Sequence, residues 1–462
     1  MQLINYQCNG TIIPKKEINL LWKNIFPEIQ IIKKVLDTRN WNDSHCSALL
    51  PSEKTTGIDV QNIVKKIGHI DYLFIVGIGG SNLGTLAVVD AVLGKLHNYK
   101  INTNKKGNKK EHEKRNTQVF FADTVDEDTM HSLCAILETA CKSGKKVLIN
   151  GISKSGSTTE TIANLEILIS VLKKYDTKYY KRVVITTDKD SLFSTFAKKQ
   201  QFSVLEIPKS VGGRYSVFSA VGLFPLAVLG IDIKKLLQGA NDMIISCMNN
   251  LYEKNIAAQS AINQYYQYKI EKKNISDLFL FSSDLESLGK WYRQLLSESC
   301  GKNQDAARDE SKLKRGAKNT SVGITPTVSL GSTDLHSVGQ LYLAGPKDKF
   351  ITFVQVLKNH TDITVPKQKE YDVLVSDLQG KDIHFIMNAI LHGIRTACTN
   401  QKISYANIIL PDKSEYSIGQ FLQFKMLEVM YLAKLLNVNA FNQPEVELYK
   451  RITRKELKKI KE

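Results

Sequence analysis

The chain has 462 residues, enough for two or three domains with substantial cores. A hydrophobic share of 42% and a charged share of 24% are those of an ordinary globular protein and exclude a disordered or fibrous chain. A net charge of +17 raises nucleic acid as a partner, but the excess gathers in KINTNKKGNKKEHEKRN (100–116) and KRITRKELKKIKE (450–462), where no aromatics interleave; both read as solvated faces, and no specific nucleic-acid binding is expected.

The seven cysteines form no CxxC pair and leave an odd one over, which suits a reducing compartment. MQLINYQCNG, at the start, has neither the charged nor the apolar region of a signal peptide. The most apolar segment, Val217 to Ile231, is too short to span a bilayer and contains Pro225. A cytoplasmic protein without a membrane partner is expected.

In chain order, residues 1–55 read as an N-terminal helical arm. YLFIVG (72–77) reads as a strand before the helical LGTLAVVDAVLG (83–94), and TQVFFA (117–122) as a strand before the helix Asp126 to Ala140. KVLIN, ending at Asn150, precedes the helical IANLEILISVL (162–172), and RVVITT (182–187) precedes the helix Asp190 to Lys199. After a mostly helical bridge, Ile233 to Glu271, the pattern restarts. DLFLFS (277–282) leads into LESLGKWYRQLLSES, KFITFVQVL (349–357) is another strand, and YANIIL (405–410) lies between two helices. Strands so flanked make parallel sheets covered on both faces. The fold class expected is α/β: two doubly wound parallel-sheet lobes, over 56–230 and 231–432, and a C-terminal helical tail over 433–462. Ligand groups belong on loops at strand C-terminal ends.

Four stretches carry chemistry. GIGGSNLG (77–84) offers backbone access and places Ser81 at a helix start. It resembles a dinucleotide loop, but no acidic residue closes a second strand at the ribose-contact spacing, so no nicotinamide cofactor is expected. SKSGSTTET (153–161) crowds Ser153, Ser155, Ser157, Thr158 and Thr159 where a buried strand turns into a helix. One hydroxyl would cap the helix; five, with Gly156 for close backbone approach, favour an oxyanion site at a helix N-terminus. VGGRYSVFS (211–219) brings Arg214, always protonated, beside two glycines, and reads equally as charge stabiliser or as a tight turn with a salt bridge. WYRQLLSESCGKN puts Gln294 and Glu298 on one helix face, with Glu298 near the negative end of the helix dipole; a solvated surface glutamate is the plain alternative. His336 follows a Gly331–Ser332–Thr333–Asp334 turn near a helix start, whereas His384 and His392 read as packing or surface residues. No HExxH, HxH or Cys/His cluster supplies metal ligands, and no GxSxG elbow supports a serine hydrolase.

The order of GIGGSNLG, SKSGSTTET, GGRYSVFSAVGLFPLA, the Gln–Glu–Ser–x–Gly–Lys peptide, the His336 segment and FNQPEVELYKR resembles the glucose-6-phosphate isomerase family in its shorter bacterial form, over about residues 70 to 455. The resemblance implies two sugar-isomerase lobes, a homodimer, and interconversion of glucose 6-phosphate and fructose 6-phosphate with no metal or organic cofactor. It implies that Ser153, Ser155 and Thr158 hold the phosphate, with Lys154, Ser81 and Gly213 nearby. By the same resemblance Glu298 is the base between C2 and C1, and Arg214 steadies the enediolate. His336 serves ring opening from the partner subunit, Lys450 lies on the ring side, and Gln294 and Gln443 contact sugar hydroxyls. The chemistry is consistent: a proton alpha to a carbonyl needs a carboxylate and an adjacent cation. STDLHS departs from the glycine-glutamine more frequent before the family histidine, and the run 100–116 reads as an insertion. The remaining readings are an isomerase that also accepts mannose 6-phosphate, against which Gln294 speaks, and a non-catalytic sugar-phosphate sensor.

Overall fold

The computed structural model describes residues 3–8, 10–100, 116–303 and 321–459, so the basic run at 101–115 lies outside the described residues. Two five-stranded sheets organise the chain. The first contains β2 (Tyr72–Val76), β3 (Gln118–Ala122), β4 (Val147–Ile152), β5 (Val183–Asp188) and β6 (Ser203–Ile207), in the order β3-β2-β4-β5-β6. Every pairing in it is parallel. β4 is buried along its whole length, as a strand covered on both faces must be. One face packs Met130, Leu133 and Leu137 of the helix Glu127–Lys142 with Leu165, Leu168 and Leu172 of the helix Thr159–Tyr175.

The second sheet has the order β1-β12-β11-β7-β10, built from β1 (Asn5–Gln7), β7 (Ile275–Leu280), β10 (Thr325–Leu330), β11 (Lys349–Val356) and β12 (Tyr405–Leu410). It is parallel except at one edge, where β1 runs antiparallel to β12. A short antiparallel pair, β8 (Lys302–Asn303) with β9 (Ser321–Val322), stands outside both sheets. The N-terminal arm is not purely helical: it opens with the edge strand β1 before the helix Lys15–Thr38. β10 also departs from expectation. TPTVSL lacks a strand's hydrophobic alternation and contains Pro326, tolerable at a sheet edge. Its polar residues face a buried carboxylate instead: the hydroxyls of Thr327 and Ser329 donate to Asp277 Oδ1 at 2.6 and 3.0 Å.

Between the sheets runs the helix Glu415–Leu436, buried along nearly its whole length and packed by the helices Ile233–Cys247, Ile256–Lys269 and Glu286–Cys300. A helix buried all round is the core of a large fold. The C-terminal tail is helical as expected: the core helix ends at Leu436, and after an irregular stretch comes the helix Val446–Lys459, which has no buried residue. No helix among the described residues is long and apolar enough to cross a membrane.

The parallel register places the site. Val76 pairs with Gly151, so the loops after β2 and β4 leave the sheet side by side. The loop after β6 carries Gly213 and Arg214 to the same end.

Candidate active site

The hydroxyl loop leaves β4 at Ser153, which is buried. Ser153 Oγ accepts from the Gly156 N–H at 3.1 Å and bonds Thr158 Oγ1 at 3.1 Å; Ser155 and Ser157 hydroxyls bond each other at 2.9 Å. Thr158 occupies the N-cap of the helix Thr159–Tyr175 but its side chain makes no capping bond. Elsewhere Asp126, Ser191, Asp382 and Ser414 each accept from a first-turn N–H of their helix. The loop is thus not a cap, and its hydroxyls hold one another. Gly156 has φ +69°, and a Cβ there would lie 2.2 Å from Phe193 Cβ, so no larger residue fits. Lys154 turns inward: its Nζ donates to the carbonyls of Lys209 at 2.5 Å and Val211 at 3.0 Å, and burial pushes its pKa below the ordinary value. It stitches the loops after β4 and β6 together, which is more than the proximity expected of it.

The glycine loops meet at van der Waals distance. A Cβ on Gly80 would fall 2.2 Å from the Gly213 carbonyl carbon, and Ser216 Oγ donates to the carbonyls of Gly80 (3.3 Å) and Gly213 (2.7 Å). Half-buried Ser81 closes the short turn Gly79–Ser81. A Cβ on Gly79 would come within 3.0 Å of Gln294 Nε2, so the second lobe's helix reaches this loop.

Arg214 is the centre of the arrangement. Its side chain is buried, and every N–H has an acceptor. Nε donates to Ser299 Oγ at 2.8 Å, Nη1 to Glu298 Oε2 at 3.2 Å and to Gln443 Oε1 at 2.8 Å. Nη2 donates to the carbonyls of Ala440 at 2.5 Å and Asn442 at 3.2 Å. Glu298 Oε1 in turn accepts from Gln294 Nε2 at 3.0 Å. A carboxylate partly open to solvent, pinned by an arginine and an amide, is equipped to take a proton beside a fixed positive charge. With all five donors engaged by protein, Arg214 offers this site its charge and no free N–H.

The family model for phosphoglucose isomerase matches residues 55–462. The chain belongs to the phosphoglucose isomerase family. Among relatives, it is 32% identical over 410 residues to a glucose-6-phosphate isomerase of Carboxydothermus hydrogenoformans, covering 87% of this chain and 82% of that protein. It is 31% identical over 385 residues to a probable glucose-6-phosphate isomerase of Methanococcus maripaludis, covering 83% and 78%. The crystal structure of a hypothetical protein from Thermus thermophilus superimposes with a TM-score of 0.82 at 26% identity, covering 98% of this chain and 100% of that one.

Of the residues the phosphoglucose isomerase resemblance singles out, the structure gathers Arg214, Glu298, Gln294 and Gln443, with Gly213 alongside. Ser153, Ser155 and Thr158 lie on the neighbouring loop. Two stand apart. His336 is exposed on the turn Thr333–His336, and Lys450 is half-exposed and ion-paired with Glu447 at 2.8 Å; neither bonds to the Arg214 group among the described residues. Three residues of the site escape the sequence reading. Ser299 is fully buried and holds both Arg214 Nε and, at 3.0 Å, the Tyr215 hydroxyl. Phe441 packs on Tyr215 at 5.5 Å between ring centroids. Lys302 donates to the Asn442 carbonyl that also receives Arg214. Burial, then the charge of Arg214, lowers its pKa to about 8 against the opposing pull of Glu445 and Glu298. Ser299 and Lys302 flank Glu298 in a peptide already marked as chemical; a lysine one turn from a carboxylate is the available signal. An apolar cavity of about 540 Å³, lined by Phe193, Phe196 and Phe202, touches the hydroxyl loop at Gly156 but includes neither Arg214 nor Glu298.

Proposed function

We infer that this chain interconverts glucose 6-phosphate and fructose 6-phosphate through an enediol(ate), the aldose–ketose step of glycolysis and gluconeogenesis. The observation that carries the reading is the Arg214–Glu298 contact of 3.2 Å, next to a hydroxyl loop that caps nothing. In this reading the phosphate sits on Ser153, Ser155 and Thr158 at the N-terminus of the helix Thr159–Tyr175, where the dipole and backbone N–H groups favour an anion. Glu298 removes the C2 proton and returns it to C1, while the charge of Arg214 stabilises the oxyanion that forms between. Gln294 and Gln443 contact the sugar hydroxyls and Lys450 the ring side. A non-catalytic sensor is disfavoured because the base is present and held in place. The mannose-accepting alternative is not favoured either.

His336 acts in ring opening from a second copy of the chain. Its exposure fits donation outward, and the same lobe bears a candidate contact surface: Ile363, Val373, Leu374, Val375 and Phe385 are all more than half exposed. Exposed apolar patches mark association sites. The cysteines of the described chain are all free, in keeping with a cytoplasmic setting.

The test is a coupled assay of purified protein with fructose 6-phosphate, with and without a chelator. Turnover that survives the chelator is expected. Folded protein without turnover overturns the reading.

A further inference from the structure

Behind the segment Ala440–Gln443 lies a buried group that the reaction does not use. His45 is 7% exposed, with Nε2 2.7 Å from Glu28 Oε1 and Nδ1 2.8 Å from Asp43 Oδ1. A neutral imidazole has one N–H and would serve only one of these carboxylates, so the geometry is that of an imidazolium donating twice. Burial presses the His45 pKa down, but the hydrogen bonds and charges of Glu28 and then Asp43 outweigh it, and the net shift is upward from 6.5. Two further titratable groups nearby, Cys46 and Tyr431, carry no charge at neutral pH. Burial, with Asp43, pushes the Cys46 thiol to about 11 against the milder pull of Lys154, and burial raises Tyr431 of the central helix.

The ring of His45 meets that of Phe441 edge-on, at 4.7 Å and 76°, and Phe441 leans on Tyr215. Phe441 stands between Ala440 and Asn442, whose carbonyls take both Nη2 bonds of Arg214, and lies two residues before Gln443. The ring stack is thus the back wall of the arginine's seat. We propose that His45, clamped by Glu28 and Asp43, is a positioning residue for Arg214 and Gln443, acting through Phe441. The role rests on the isomerase reading. When the imidazolium loses its proton, one carboxylate loses its donor, the ring turns, and Phe441 loses its wall.

A histidine with a raised pKa supports the arrangement at low pH and withdraws that support as pH rises through the folded value. The experiment is kcat and KM for fructose 6-phosphate between about pH 6 and 9, with wild type, Asp43→Asn and His45→Gln compared. Asp43→Asn keeps the oxygen that accepts the His45 backbone N–H but removes a charge. It should move the alkaline limb of kcat about one unit to lower pH. His45→Gln should lower kcat about ten-fold at neutral pH, leave KM within about two-fold, and erase that limb. If His45→Gln fails to fold, Asp43→Asn decides alone. An Asp43→Asn profile superimposed on wild type overturns the positioning role while leaving the isomerase intact. Wild type without turnover overturns the isomerase reading and this role with it.

Discussion

In the loop Ser153–Thr158 the hydroxyls bond each other within five residues of chain, whereas Arg214 takes its acceptors from Glu298, Ser299, Ala440, Asn442 and Gln443, as far as 229 residues away. Under the proposed isomerase function the two regions solve different problems. A phosphate arrives already charged, so its subsite needs donors that can leave one another and turn to the ligand. An enediolate acquires charge only during the reaction, so its stabilising cation must be fixed beforehand. Soft local bonds suit the first, and a saturated long-range network suits the second.

The sharpest way to break this contrast is at the proposed base. Glu298→Gln keeps one acceptor oxygen in place of the two that serve Arg214 and Gln294, and it no longer takes a proton. It should lower turnover by roughly 10²–10⁴ while substrate-analogue binding survives. Near-normal kcat in folded protein would remove Glu298 from the chemistry. Next comes the soft region. Replacing Ser155 and Thr158 together by Ala removes donors each worth roughly 1.5–3 kcal/mol to a charged ligand, so the apparent affinity for fructose 6-phosphate should fall more than ten-fold. Because Thr158 caps nothing, the melting temperature should stay near wild type. A drop in stability with affinity unchanged would make the loop a helix start after all.

How far each region was legible follows from the same distances. The hydroxyl loop is contiguous, so five hydroxyls around one glycine could be read directly from SKSGSTTET. Arg214 and Glu298 were also visible, but as single residues in separate peptides, each with a bland alternative and assigned roles only through resemblance. Their joining bond could not be seen, because only packing of the two lobes creates it. Phe441 is one aromatic among many, and nothing local says that it fills the space between His45 and Tyr215. In the sheets, apolar runs such as YLFIV and YANIIL announce buried strands. Polar β10 and three-residue β1 offer no such run, since one is held by hydroxyls on a carboxylate and the other by a partner at the far end of the chain.

The smallest test concerns the rigid region. Lys302 has a folded pKa of about 8 against an ordinary 10.5. Between those values the unfolded chain binds the extra proton, so this residue makes the fold more stable as pH rises through that window. Lys302→Met lacks the term. The mutant's melting temperature relative to wild type should therefore decline from about pH 8 upward, by roughly 2 °C or less. A difference that stays flat with pH would show that the ammonium is not confined as the structure has it.

β1 has a consequence for how the molecule comes into being. Asn5 pairs with Ile409, the Ile4 N–H donates to Gln420 Oε1 at 2.8 Å, and Tyr6 is buried against Phe424. β1 thus finds its partner strand only when a segment more than four hundred residues further along the chain has left the ribosome. Until then the first lobe has all its strands and can form, while the second sheet keeps an open edge that any other extended chain could join. Closure of that edge waits for β12, and it ties together two segments that emerge far apart in time.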